Sequence, residues 1–480
     1  MPRKVLVLAA ATAVAIAALA LPYWMGIRVE REVRALVREA GRAGPFRLRI
    51  VDYERGWFSS RARIRVTLTP PPGPALALPQ FGFDLDERIE HGPYPVAGRR
   101  DGVAPVLAVI HSVLIGDAKS GFGTGSGLPA KPLEAVTVVY LSGRSDTDVR
   151  MPAWRLTGTG RGVGPLRAAP YGAQRVVWGG LRGRVGWSAD FGRVTERFTA
   201  PGLEIDGPVA FVRLRDVSLE GHSRRAPSGL MQGEMTLRAA SLDAAATGSK
   251  RTSLSVTGLD LHSAGAEHDG AMTVRMAMRA RTIRAGAIEV GPLIYELRIA
   301  RLDTDAVVRL QKAMRRLRDQ VADPAALRRR FAGQMLAILP DLLRRSPEIV
   351  LDLSLRTGAG PVLLRGRVKL PASVTPGPDA WKRLVGDAEL RVPTTVLRAV
   401  LVTRARSQLL AARGKGAVQR LDPAQIVRVA TLMGRQRMQS LKARGLLECD
   451  GGECRAVLRY DSGRLTVNGR TLLRAPGAAR

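Results

Sequence analysis

Five histidines (His91, His111, His222, His262, His268) and two cysteines (Cys449, Cys454) are the side chains of this chain best suited to nucleophilic, acid–base or zinc chemistry. Their spacing supports none of it. A structural zinc needs four ligands in close pairs, and no histidine pair stands at metal-binding spacing beside the cysteines. No H-E-x-x-H, G-x-S-x-G or Walker sequence occurs. The Gly-rich runs at 121–127 (GFGTGSG) and 158–164 open no recognisable βαβ unit, so both are expected to be loops. His91 lies in His91-Gly92-Pro93-Tyr94-Pro95, a stiff turn sequence, where a histidine is expected to bond nearby backbone. The chain is therefore expected not to be an enzyme and to use no cofactor or metal.

Cys449 and Cys454 flank Asp450-Gly451-Gly452-Glu453, a four-residue turn sequence with apolar runs on either side. Cysteines facing each other across such a hairpin come close enough for a disulfide. An oxidising compartment would give the bridge, and a reducing one would leave two thiols.

The elements around these residues start with an uncharged stretch, Val5 to Ile27, preceded by Arg3 and Lys4. As a helix it would be about 34 Å long, enough to cross a bilayer once. Tyr23 and Trp24 suit a membrane–water interface, and the stretch is longer than a cleaved signal core, although Ala18-Leu19-Ala20 resembles a cleavage site. Arg3 and Lys4 favour a cytoplasmic N-terminus, whereas Arg28, Arg31, Arg34, Arg38 and Arg42 argue the other way. The resulting division is a tail over 1–4, an anchor over 5–27 and a juxtamembrane helix over 28–44. Val29, Val33, Leu36, Val37 and Ala40 form the helix's apolar stripe, and Gly41 and Gly44 end it.

With 45% hydrophobic and 24% charged residues, the remainder is globular and long enough for two or three domains. Net charge is +33, carried by 66 Arg and 9 Lys spread along the whole chain. Aromatics make up only 5%, too few for stacking platforms, so nucleic acid is not expected as a partner. The arginines are expected on solvated faces, with attraction to anionic lipid as the functional alternative.

From Phe46 the apolar period becomes two. Arg61, Arg63 and Arg65 alternate with Ala62, Ile64 and Val66, a half-buried strand with a wet face. Strand-like segments continue at 81–90, 104–115, 135–142, 175–188, 209–220, 230–244, 252–263, 271–284 and 287–299. This predicts an antiparallel meander, either a curved sheet or a sandwich, over 45–300. Met272, Val274, Met276 and Met278 alternate with Thr273, Arg275, Ala277 and Arg279. They are core in a sandwich, or the lining of an apolar groove in an open sheet.

The part over 301–480 is mixed. Helices are expected over Asp303–Arg318, from Asp323-Pro324 toward Leu339, from Thr394 to Gly414, and from Asp422-Pro423 to Gly445. Strands are expected at 347–356, 361–369 and 384–391, then the cysteine hairpin and a last strand, Leu465 to Gly469. Arg428, Arg435 and Lys442 recur every seven residues on the last helix, as a solvated stripe or an acid-binding face. The fold class is thus α+β: a single N-terminal transmembrane helix, a large mainly antiparallel β-meander, and a helical C-terminal part ending in a β-hairpin.

Tyr53-Glu54-Arg55-Gly56-Trp57-Phe58-Ser59-Ser60, the run Glu90-His91-Gly92-Pro93-Tyr94-Pro95, and the helix–hairpin–strand layout from Leu421 to Gly469 together resemble the YdgA-like family of bacterial envelope proteins, a domain of unknown function. The resemblance implies an inner-membrane anchor with the bulk of the chain in the periplasm. It carries over no catalytic residue, cofactor or substrate. In the first motif, Gly56 is expected to turn the chain between two strands. Trp57 and Phe58 would pin that corner from its apolar side, and Ser59 and Ser60 would bond local backbone; the alternative is that the motif contacts a partner or lipid. The expected function is that of a non-enzymatic anchored protein holding lipid or another apolar ligand on its sheet. The alternative is a structural protein that self-associates as a homo-oligomer or binds an envelope partner.

Overall fold

A computed structural model describes residues 20–38, 46–68, 81–93, 105–115, 129, 131–157, 175–207, 210–246, 253–286, 288–320, 324–371, 383–414 and 422–474. The chain divides into two compact units, Met1–Leu254 with Arg315–Arg329, and Ser255–Met314 with Arg330–Arg480. The division falls inside the meander, not at the change from strands to helices near residue 300.

The first unit opens with helix α1, residues 20–38. The strands β1 (Phe46–Arg55), β2 (Ser59–Leu68), β3 (Phe81–His91), β4 (Val106–Ile115), β5 (Glu134–Tyr140) and β6 (Ser145–Met151) follow. Each pairs antiparallel with the next. After the short strands β7 (Trp154–Thr157) and β8 (Arg175–Trp178), strand β9 (Leu181–Trp187) joins β6. The meander then runs on through β10 (Arg193–Asp206), β11 (Ala210–Arg225) and β12 (Met231–Ala246).

Strand β10 is absent from the expected set. Its Pro201-Gly202 reads as a strand breaker, but it marks the place where β10 leaves β9 and pairs with β8 instead, so no ladder bond is lost at the proline. Gly179-Gly180, likewise, splits the expected strand 175–188 into β8 and β9.

Helix α1 lies on one face of β1 to β4. Val29 and Val33 pack with Ala62, Ile89 and Leu107, and Val37 packs with Ile64 and Val66. The predicted stripe is the buried one, and it reaches further back, through Met25 and Gly26 to Pro22. The helix therefore runs unbroken across the expected boundary between anchor and juxtamembrane segment. Among the described residues no helix is long and apolar enough to cross a membrane. The expected tail over 1–4, residues 5–19 of the expected span, and Ala40, Gly41 and Gly44 lie outside them.

In the second unit β13 (Ser253–His268) pairs with β14 (Ala271–Ala280), and β15 (Thr282–Ala285) and β14 both pair with β16 (Ile288–Asp303). Helices α2 (Thr304–Gln320) and α3 (Pro324–Leu342) follow; the end of α2 and the start of α3, within Arg315–Arg329, count with the first unit. Asp303 caps α2 by accepting from the Ala306 N–H at 2.9 Å. The ladder resumes with β17 (Glu348–Thr357), β18 (Gly360–Lys369) and β19 (Val385–Pro393).

Helices α4 (Thr394–Gly414) and α5 (Pro423–Ala443) then pack on β19 and on β21 (Glu453–Asp461), which pairs with β19. Their shared core is Val392, Met438, Leu447, Cys454 and Ala456. Asp422 and Gln425 form a reciprocal capping box at the start of α5.

The short strand β20 (Glu448–Asp450) faces β21 across Gly451 and Gly452, both at positive φ. The turn is thus two residues long, tighter than the four expected, in the form that matches strand twist. The last expected strand also ends early. Strand β22 is Arg464–Val467, and Asn468-Gly469 is a positive-φ turn into β23, Arg470–Arg474.

Candidate functional site

The first motif forms the hairpin corner between β1 and β2, where Arg55 faces Ser60 and the Gly56 N–H donates to the Ser59 carbonyl at 2.9 Å. His91, from the second motif, ends β3 directly beneath this corner. It is no turn histidine bonded to its neighbours. Its backbone N–H donates to the Phe58 carbonyl at 2.9 Å, and its Nδ1 donates to the Trp57 carbonyl at 3.2 Å. With Nδ1 carrying the hydrogen, Nε2 accepts from the Ser60 hydroxyl at 2.8 Å. Gly92 and Pro93 continue the pairing with β4, through the Leu107 carbonyl and the Val106 N–H. Tyr94 and Pro95 lie outside the described residues.

The ring of His91 fits against α1 only because residue 26 is glycine: a Cβ there would sit 2.4 Å from His91 Cε1. Burial lowers the pKa of His91, outweighing the Trp57 and Pro22 carbonyls, which favour the charged ring. A serine within reach of an imidazole is the arrangement of an activated nucleophile. Here both side chains are sealed under α1, and Nδ1 is held by a carbonyl rather than a carboxylate. The pair latches the β1–β2 corner to the end of β3, and its ring packs on α1 at Gly26.

The remaining motif residues strengthen it. Arg55 reaches Glu30 of α1 at 2.9 Å and lies over the Tyr23 ring. Arg34 lies over the ring of Tyr53, a phenol whose pKa burial raises. Ser59 pairs with Glu90 in the β2–β3 ladder.

Trp57 and Phe58 do not pin the corner by burial. They are 51% and 55% exposed, and Trp57 packs on Tyr23 with ring centroids 4.9 Å apart. Trp24, next to Tyr23 in the chain, is 63% exposed. The corner is held by its backbone, and its aromatic side chains face outward.

One residue of this unit has no counterpart in the sequence reading. Glu87 of β3 is buried on the α1 face, and the Ser112 hydroxyl donates to its Oε2 at 2.5 Å. Desolvation, with a small addition from Asp86, pushes its pKa up to about 7 against the pull of that hydrogen bond. The signal was present: Glu87 is in phase with Phe83, Leu85 and Ile89.

In the second unit the register aligns apolar residues into rows. Met278, Tyr295, Leu353, Leu364, Leu390 and Ala456 make one row across β14, β16, β17, β18, β19 and β21. Met276, Leu297 and Leu351 begin the next, and Val274, Ile299, Ile349 and Val368 a third. Met272 faces Leu302 past a bulge. At β19 and β21 the rows are covered by α4 and α5. Toward β14 they open: Met276 is 49% exposed and Ile349 42%.

The opposite face carries ion pairs between strands, among them Arg279–Glu296 at 3.3 Å, Arg365–Asp352 at 3.5 Å and Arg455–Glu389 at 2.7 Å.

Cys449 and Cys454 face each other across β20 and β21 and are joined, with Cys454 fully buried beside the Thr394 hydroxyl. The other histidines gather no chemistry. His222 lines a cleft of about 500 Å³ with Glu220, Glu234 and Arg197, and His268 makes an exposed pair with Asp269. Among the described residues no group of three His, Cys, Asp or Glu side chains could hold a metal. The Gly-rich runs at 121–127 and 158–164 lie outside the described residues.

These features define a mostly antiparallel β-sheet protein whose first strands are latched to an N-terminal helix. The chain belongs to a bacterial family of unknown function (DUF945), whose model matches residues 3–473, in keeping with the YdgA-like resemblance. No curated protein matches it.

Proposed function

We propose that this is a non-enzymatic protein anchored by its N-terminus in the bacterial inner membrane, with its body in the periplasm, and that the second unit holds lipid on its apolar face. The observation that carries the proposal is the one-sidedness of the sheet: aligned apolar rows, covered by α4 and α5 at one end and open around Met276, backed by ion pairs. Four same-face positions from Leu293 to Ile299 span about 20 Å, and the four strands from β14 to β18 about 14 Å. The length along the strands exceeds the roughly 15 Å of one leaflet's hydrocarbon, so an acyl chain can lie parallel to the strands, across the open rows.

The latch supports the anchor. Helix α1 cannot be wrapped in lipid where it packs on the sheet, so the crossing segment ends before Pro22. As a helix, the sequence from 5 to 21 would be about 25 Å long, at the short end of the usual range; all of it before residue 20 lies outside the described residues. Exposed aromatics follow directly, Tyr23 with Trp57 packed on it, and Trp24 and Phe58, which suits the level where aromatic side chains favour the interface.

The test is native mass spectrometry of detergent-purified chain beside the variant Met276→Arg. Because Met276 is half exposed, the variant should stay folded and lose the co-purified lipid. A wild-type protein that carries none, and instead forms dimers that Met276→Arg dissolves, would replace this proposal with face-to-face self-association.

A further inference from the structure

The helices over the covered end of the apolar rows carry charge of an unusual kind. Neither α4 nor α5 contains a single Asp or Glu. On the sheet, arginines meet carboxylates across strands. On α4 and α5, by contrast, Arg398, Arg404, Arg428, Arg435 and Lys442 are exposed and, among the described residues, make no ion pair. Arg428, Leu432, Arg435, Gln439 and Lys442 form one outward stripe of α5 at helical spacing. Leu432 is 67% exposed within it; Val427, on a different side of α5, is 45% exposed, and Val400 of α4 is 56% exposed.

We infer that this helix pair is a docking surface for an anionic lipid bilayer. Cations interleaved with exposed aliphatic side chains on a rigid helix are the signature of a surface that lies in the headgroup layer. A second copy of the chain would bring like charges together. A nucleic acid would find no aromatic residue on either helix to stack on. The surface is separate from the open rows around Met276, so it does not depend on lipid held there.

The test places an environment-sensitive fluorophore at Gln439→Cys in the full chain, reconstituted in phosphatidylcholine vesicles with or without phosphatidylglycerol, both carrying lipid-borne quencher. Quenching should appear in the anionic vesicles and fade as salt shortens the screening length. The double variant Arg428→Gln, Arg435→Gln should weaken bilayer contact about 25-fold, at about fivefold per charge removed. Leu432→Ser should weaken it further, and Met276→Arg should leave it intact. Circular dichroism confirms that each variant is folded. Absence of quenching in the anionic vesicles, or quenching equal in both compositions and indifferent to the arginines, overturns the inference. So does high-affinity capture of heparin, a soluble polyanion, without bilayer contact.

Discussion

Replacing Glu87 with glutamine should remove a specific part of the pH dependence of stability. The buried carboxyl has its pKa raised from 4.5 to about 7 in the folded chain, chiefly by desolvation. Between these values the folded state keeps a proton that the unfolded state gives up, so stability falls as pH rises. The contribution is fully present below about 4.5 and gone above about 7. At 1.36 kcal/mol per unit, the shift of roughly 2.5 units amounts to about 3 kcal/mol. Glu87→Gln keeps the shape and the bond to Ser112 but is neutral at every pH. The variant should match the parent near pH 4.5 and exceed it by about 3 kcal/mol at pH 8. His91 works in the opposite direction, because burial lowers its pKa and its contribution is lost as pH falls. That effect is common to both proteins and cancels in their difference. Urea unfolding followed by tryptophan fluorescence is the assay, since Trp24, Trp57, Trp154, Trp178 and Trp187 all fall in the first unit. Parallel pH profiles for the two proteins, or a glutamine variant weaker at pH 8, would refute the reasoning.

Further outcomes follow from the latch, the hairpin and the anchor. His91→Ala leaves the Ser60 hydroxyl buried without its partner and opens a cavity, which should cost about 2–4 kcal/mol in the same unfolding assay. Gly26→Ala drives a methyl group into the His91 ring and should cost about 1–3 kcal/mol, with much of the loss restored in the double variant with His91→Ala. Protein from envelope fractions should show Cys449 and Cys454 blocked to alkylation until reduced, and free thiols before reduction would contradict export. Because the closed loop is short, reduction should lower stability by only about 2 kcal/mol in a melting experiment. A phosphatase fused after Arg480 should be active, and a fluorescent protein that matures only in the cytoplasm should stay dark there.

Alternation and caps made much of this fold legible. The period-two pattern located β2, β3, β4 and most of the meander, and Thr394 and Asp422-Pro423 marked the starts of α4 and α5. Long-range pairing was not legible. Nothing local says that Pro201-Gly202 is a change of partner rather than a break, so β10 was missed. The latch joins His91 to Ser60 across 31 residues and needs Gly26 from a third element. The motif residues were visible as motifs, but Trp57 and Phe58 are exposed, and their corner is held through its backbone groups and the His91 ring rather than by burying them. The methionine stripe was visible, yet whether it is sealed depends on where α4 and α5 stop covering the rows.

The order of strands also bears on how the chain assembles. From β1 to β6, from β9 to β12 and from β16 to β19, each strand pairs with one that adjoins it in the chain. Steps such as β1–β2, β5–β6, β11–β12 and β17–β18 close through only a few residues, whereas β16 and β17 are joined across α2 and α3; local pairing of this kind keeps the entropic barrier of most steps low. Helix α1, the first described element, already supplies the apolar surface on which β1 to β4 settle. A chain threaded from its N-terminus can therefore add one strand at a time to a finished edge. It exposes little more than one unpaired strand at any moment, and this limits the time in which an edge could capture another chain.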